Sequence, residues 1–120
     1  MLKKVISYED FNGVEQSELF YFNLSKSELA EMELTMPGGM GSYIDKIVQA
    51  KEIPELARLF KKLILQSYGV KSEDGKKFIK NEQLRDEFEC SAAYDVLFME
   101  LISDADKASE FCNGILPERK

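Results

Sequence analysis

The chain has 120 residues, with 16 Lys+Arg against 22 Asp+Glu, two cysteines, no histidine and no tryptophan. A net charge of −6 repels phosphate and anionic lipid, so neither nucleic acid nor a membrane is an expected partner. The missing histidine removes the commonest general base and transition-metal ligand, and two cysteines are too few for structural zinc.

At 44% hydrophobic residues the composition is that of a globular protein, and the length fits one domain over residues 1–120. The expected division is a β-hairpin over 1–24, a helical part over 25–116 and a polar tail over 117–120. No apolar run approaches the roughly 20 residues a bilayer needs. Lys3-Lys4 is not followed by the apolar core of a signal peptide. The expectation is a reducing cytoplasm, with Cys90 and Cys112 as packed thiols. A disulfide between the two stays open at this level.

Lys4-Val5-Ile6-Ser7-Tyr8 and Leu19-Phe20-Tyr21-Phe22 are β-rich runs flanking Asn12-Gly13, a strong hairpin signal. A two-residue turn there pairs Phe11 with Val14, Ile6 with Leu19 and Val5 with Phe20. Both faces are apolar near the open end, so the hairpin must rest on other elements.

Ser25 and Glu28 form a capping box, with Leu24 placed to staple onto Leu29. The helix they start carries Leu29, Met32 and Met36 at helical spacing and stops before Pro37. Gly38, Gly39 and Gly41 then make a loose connection. Ser42 suits the cap of a short helix through Tyr43, Ile44, Ile47 and Val48. Pro54 suits the first turn of the next helix, whose stripe is Leu56, Leu59, Phe60, Leu63 and Ile64, with Gly69 as its terminator.

Ser72-Glu73-Asp74-Gly75 reads as a turn, and Phe78-Ile79 as a short strand or an anchored loop. Asn81 caps a helix through Leu84 and Phe88, and Ser91 caps one through Tyr94, Leu97, Phe98, Leu101 and Ile102. The latter is interrupted only by Asp95 and Glu100, so it should be central, with Met99 in the core. Ser103 or Asp104 caps a last helix with Ala105, Ala108, Phe111 and Cys112 facing in, ended by Asn113-Gly114 and Pro117. The expected fold class is α+β: an N-terminal β-hairpin followed by a compact bundle of about five or six helices.

Chemistry is scarce. Pro37-Gly38-Gly39-Met40-Gly41 lacks the Lys-Ser/Thr of a phosphate-binding loop, and the Ser72–Gly75 turn lacks the alternating acids of a calcium loop. Glu28, Glu31 and Glu33 read as the wet face of an amphipathic helix. No catalytic residue, cofactor or metal ligand is expected, and no enzymatic activity. Met32, Met36 and Met40 fit either ordinary core packing or a soft surface that accommodates apolar partners. Together with Phe20 and Phe22 of the hairpin they are the candidate partner-binding residues.

The stretch Tyr21-Phe22-Asn23-Leu24-Ser25-Lys26-Ser27-Glu28-Leu29-Ala30-Glu31-Met32-Glu33, just after a hairpin, resembles the tail assembly chaperones of long-tailed bacteriophages and prophages of Gram-positive bacteria. The likeness continues through Lys61-Lys62-Leu63-Ile64-Leu65, Tyr68-Gly69, Ser72–Lys80 and Leu97-Phe98-Met99-Glu100-Leu101. It runs on to Ala108, Phe111, Asn113-Gly114-Ile115 and Pro117, so it covers nearly the whole chain. What the resemblance implies is a protein of the host cytoplasm that binds the tape measure protein, a long, partly apolar helical chain. It would keep that chain soluble until tail tube subunits polymerise around it. The tail tube protein is a further implied partner, and self-association into a homo-oligomer would match a client with many equivalent segments. The competing readings are a tail completion or connector protein of the virion, and a small regulatory protein that binds a host target.

Overall fold

The computed structural model describes residues 1–35 and 53–116. Strands β1 (Leu2–Glu9) and β2 (Glu15–Phe22) form the hairpin, in a register that pairs Leu2 with Phe22, Val5 with Leu19 and Glu9 with Glu15. This differs by one residue from the register a two-residue turn would give. The reason lies in Asp10. Its carbonyl accepts the Gly13 N–H at 3.0 Å, and its carboxylate accepts the N–H groups of Asn12 and Val14 at 2.9 and 3.0 Å. Asp at the first and Gly at the fourth position are the signature of a type I turn. Gly13 then takes the left-handed conformation, φ 78°, that lets the strands resume pairing, with the Asp10 N–H donating to the Val14 carbonyl at 2.9 Å. A one-residue shift reassigns the face of one strand relative to the other. Ile6, Phe20 and Phe22 therefore share the inner face, while Val5 and Leu19 are paired on the outer one.

Helix α1 (Lys26–Thr35) opens on the expected capping box. The Ser25 hydroxyl accepts the Glu28 N–H at 3.1 Å, and the Glu28 carboxylate accepts the Ser25 N–H at 3.0 Å. Two backbone bonds fix the approach to it: Asn23 N–H to the Ser67 carbonyl at 2.7 Å, and Leu24 N–H to the Ile115 carbonyl at 2.8 Å. The expected short helix through Tyr43, Ile44, Ile47 and Val48 lies outside the described residues, as do Met36 and Met40.

Helix α2 (Ile53–Ser67) buries Leu59, Phe60, Leu63 and Ile64, as its stripe requires. It runs directly into strand β3 (Tyr68–Lys71) with no left-handed glycine cap. Gly69 instead sits in the sheet opposite Tyr21, with the Phe78 ring against its backbone. A side-chain carbon there would lie 2.6 Å from that ring and 2.9 Å from the Ile79 carbonyl oxygen, so close approach is what glycine provides. Strand β4 (Phe78–Ile79) completes a four-stranded antiparallel sheet in the order β1-β2-β3-β4.

Helices α3 (Glu82–Glu89), α4 (Ala92–Ser103) and α5 (Ala105–Ile115) follow, capped by the side chains of Asn81, Ser91 and Asp104. Helix α5 continues through Asn113-Gly114 to Ile115, past the expected stop, and Ala105 at its start is exposed. Helix α4 touches β1, α2, α3 and α5 and buries Ala93, Tyr94, Leu97 and Leu101, which makes it central. Its apolar surface is nonetheless wider than its contact: Val96 and Met99 are exposed, so Met99 is not the core residue its sequence context suggests. The inner sheet face and the helices meet in an aromatic cluster. Tyr68 stacks on Phe88 at 4.3 Å, and Phe22 lies edge-on to Phe111 at 5.3 Å. The described chain is thus α+β, a hairpin-based sheet with five helices.

Candidate interaction surface

Four segments converge on Lys80. Its ammonium group donates to the Asn23 carbonyl at 2.6 Å, the Gln66 carbonyl at 2.9 Å and both Glu28 carboxylate oxygens at 2.8 Å. Three N–H donors meet three acceptor groups, which is how a cation only 10% exposed stays satisfied. Burial works against charge on Glu28, but the Lys80 and Ser25 hydrogen bonds prevail and hold it below the usual carboxylate range. Burial pushes Lys80 down despite the carboxylate beside it. Arg85 adds a bond to the Leu65 carbonyl at 3.2 Å, so two cations close the end of α2. This arrangement is a clasp that locks β2, α1, α2 and β4 together.

Two other groups are shifted for plain structural reasons. The Tyr8 hydroxyl donates to Glu18, which pushes its ionisation up to about 12. Burial pushes the Cys112 thiol up to about 11, far from the thiolate a nucleophile needs. Cys90 and Cys112 are both free, and Cys90 is exposed at the end of α3 rather than packed. Among the described residues no three His, Cys, Asp or Glu side chains converge as metal ligands, and no helix is long and apolar enough to cross a membrane.

What the described surface does offer is apolar area. On the outer sheet face Val5 is 62% exposed and its partner Leu19 48%, and at the hairpin end Phe11 is 85% exposed and Val14 52%. The surrounding groups are charged: Lys3, Glu9 and Glu15 share this face with them. Scattered apolar residues are normal on a surface; the Val5–Leu19 pair is the cross-strand apolar spot of this face, separated from the hairpin end by the Ser7–Ser17 and Glu9–Glu15 pairs.

The five sequence candidates fall differently. Phe22 is fully buried and Phe20 half-buried, both in the aromatic cluster, so in the folded chain the hairpin presents Val5 and Leu19 in their place. Met32 is half-buried and packed against the core, while Met36 and Met40 lie outside the described residues. Val5 and Leu19 escaped sequence reading because a two-residue turn pairs each with an inner-face residue. The signal that would have found them is Asp10 three positions before Gly13.

No curated protein and no solved structure matches this chain. A family model described as phage tail assembly chaperone matches residues 1–119. That match spans the hairpin, the Lys80 clasp and every helix described above, and the chain therefore belongs to the phage tail assembly chaperone family.

Proposed function

We propose that this chain captures the tape measure protein in the host cytoplasm and keeps it soluble while tail tube subunits polymerise around it. The observation that carries this reading is the exposed apolar pair Val5–Leu19 on the outer face of the hairpin. A long, partly apolar helical client needs apolar cover along many segments and no chemistry, and the described surface supplies the former. On the sequence pattern, Met36 and Met40, which lie outside the described residues, would extend the contact. The net charge of −6 keeps the chaperone itself soluble while part of its apolar surface is open.

A chaperone leaves before the particle is finished, whereas a connector stays. Mass spectrometry of purified virions should therefore find the tail tube and tape measure proteins but not this chain. Its presence at fixed stoichiometry would replace the chaperone role with the connector reading.

A further inference from the structure

Strand β1 is the edge of the sheet, and its outer edge pairs with nothing among the described residues. The direction of its backbone groups follows from the hairpin. Because the Asp10 N–H bonds the Val14 carbonyl, Tyr8, Ile6, Lys4 and Leu2 are the residues that exchange hydrogen bonds with β2. Antiparallel pairs alternate, so the N–H and C=O groups of Lys3, Val5, Ser7 and Glu9 point away from β2, toward the open edge. All four residues are exposed, and the strand runs eight residues without proline, glycine or bulge. Such an edge is a template for another strand.

The charges on that edge select which strand. Glu9 stands directly opposite Glu15, a like-charge pair that costs stability, and neither has an ion-pair partner among the described residues. Lys3 is likewise outside every described ion pair. One copy of β1 thus carries an unpartnered cation near its start and an unpartnered anion at its end, both on the outer face. An antiparallel second β1, related by a two-fold axis through Ile6, sets Lys3 against Glu9 of the other copy, and Glu9 against its Lys3. It also sets Val5 against Ser7, always with outward-pointing residues opposite each other, as the hydrogen-bond alternation demands. The two Val5 side chains become diagonal neighbours, so an apolar strip runs from Leu19 through both Val5 residues to the second Leu19. Shifting the pairing by two residues toward the start of the strand sets Lys3 against Ser7 and Glu9 against Met1, so both Lys3–Glu9 pairs are lost.

We infer that the open edge of β1 binds the β1 edge of a second copy of this chain, antiparallel and with Lys3 opposite Glu9 at both ends of a two-fold interface. The inference stands on the edge itself and does not depend on the identity of the client.

The test is a charge-swap series on the full chain, read by sedimentation equilibrium over micromolar concentrations. Wild type is expected to form a dimer of twice the 13.8 kDa chain mass. Lys3→Glu and Glu9→Lys each turn two attractive pairs into repulsive ones and should weaken the dimer about tenfold or more. Mixing the two variants places Glu opposite Lys at both ends, so the mixed heterodimer should match wild type, as should Lys3→Glu/Glu9→Lys in one chain. Val5→Pro removes an outward N–H at an edge position where proline is tolerated, and should give a folded monomer by circular dichroism. A wild type that stays monomeric would overturn the proposal. So would single swaps that dimerise normally, or a mixture that fails to recover.

Discussion

Replacing Lys80 with methionine tests the clasp beneath the hairpin. The change keeps most of the side-chain volume and removes the ammonium group that bonds Asn23, Gln66 and Glu28. Removing one partner of a buried ion pair costs about 3–5 kcal/mol, and a hydrogen bond to a charged group about 1.5–3 kcal/mol. The Glu28 side chain is 33% exposed and rehydrates in part, which brings the expected loss to about 2–4 kcal/mol. Urea melts of wild type and Lys80→Met read this directly. A second signature comes from acid. The folded-state value of Glu28 is lowered, so its contribution is present above the unfolded carboxylate value and is lost as pH falls through the folded one. Wild type should therefore lose stability below the ordinary carboxylate range, and Lys80→Met should lose less there, because the bond that lowers Glu28 is gone. Glu28→Gln leaves the nearly buried Lys80 ammonium without its carboxylate and should also cost stability in the same melts. A loss under about 1 kcal/mol with an unchanged acid limb would refute the clasp as a stabilising element.

Two further changes probe the packing around it. Leu97→Ala, fully buried on the central helix, should cost about 2–5 kcal/mol in the same melts, and Phe98→Ala, half-buried, less than a full core truncation. Gly69→Ala places a carbon 2.6 Å from the Phe78 ring and 2.9 Å from a backbone oxygen, so it should destabilise by about 1–3 kcal/mol; a neutral result would show that β4 is free to shift.

How legible these features were in the sequence depended on how local their causes are. The Ser25–Glu28 capping box, the Asn81 and Ser91 caps and the α2 stripe all arise within a few residues, and each appears where the residues put it. The hairpin was visible but its register was not, because Asn12-Gly13 drew attention to one turn while the Asp10 carboxylate, bonding three partners, builds another. Strand β3 was hidden because Gly69 reads locally as a helix terminator, and only the distant strand ending at Phe22 and the ring of Phe78 explain it. The Lys80 clasp joins residues 57 and 52 positions apart in sequence, a separation that no local pattern marks. Met99 shows the limit of reading burial from composition: a helix apolar nearly all round was central, yet it kept one apolar face toward solvent. The consequence for the candidate surface is direct, since Phe20 and Phe22 went inward and Val5 and Leu19 outward.

Co-expression of the cognate tape measure protein with this chain tests the central claim. Wild type should raise the soluble fraction of the tape measure protein and co-purify with it, and the complex should survive moderately high salt, because apolar contact is not screened as exposed ion pairs are. Val5→Ser/Leu19→Ser alters two exposed positions, so its urea melt should stay within about 0.5 kcal/mol of wild type while capture falls. Capture lost with folding intact places the client on the outer sheet face. Equal capture by both proteins would move the client elsewhere, and no capture by wild type at any salt concentration would contradict the proposed function itself.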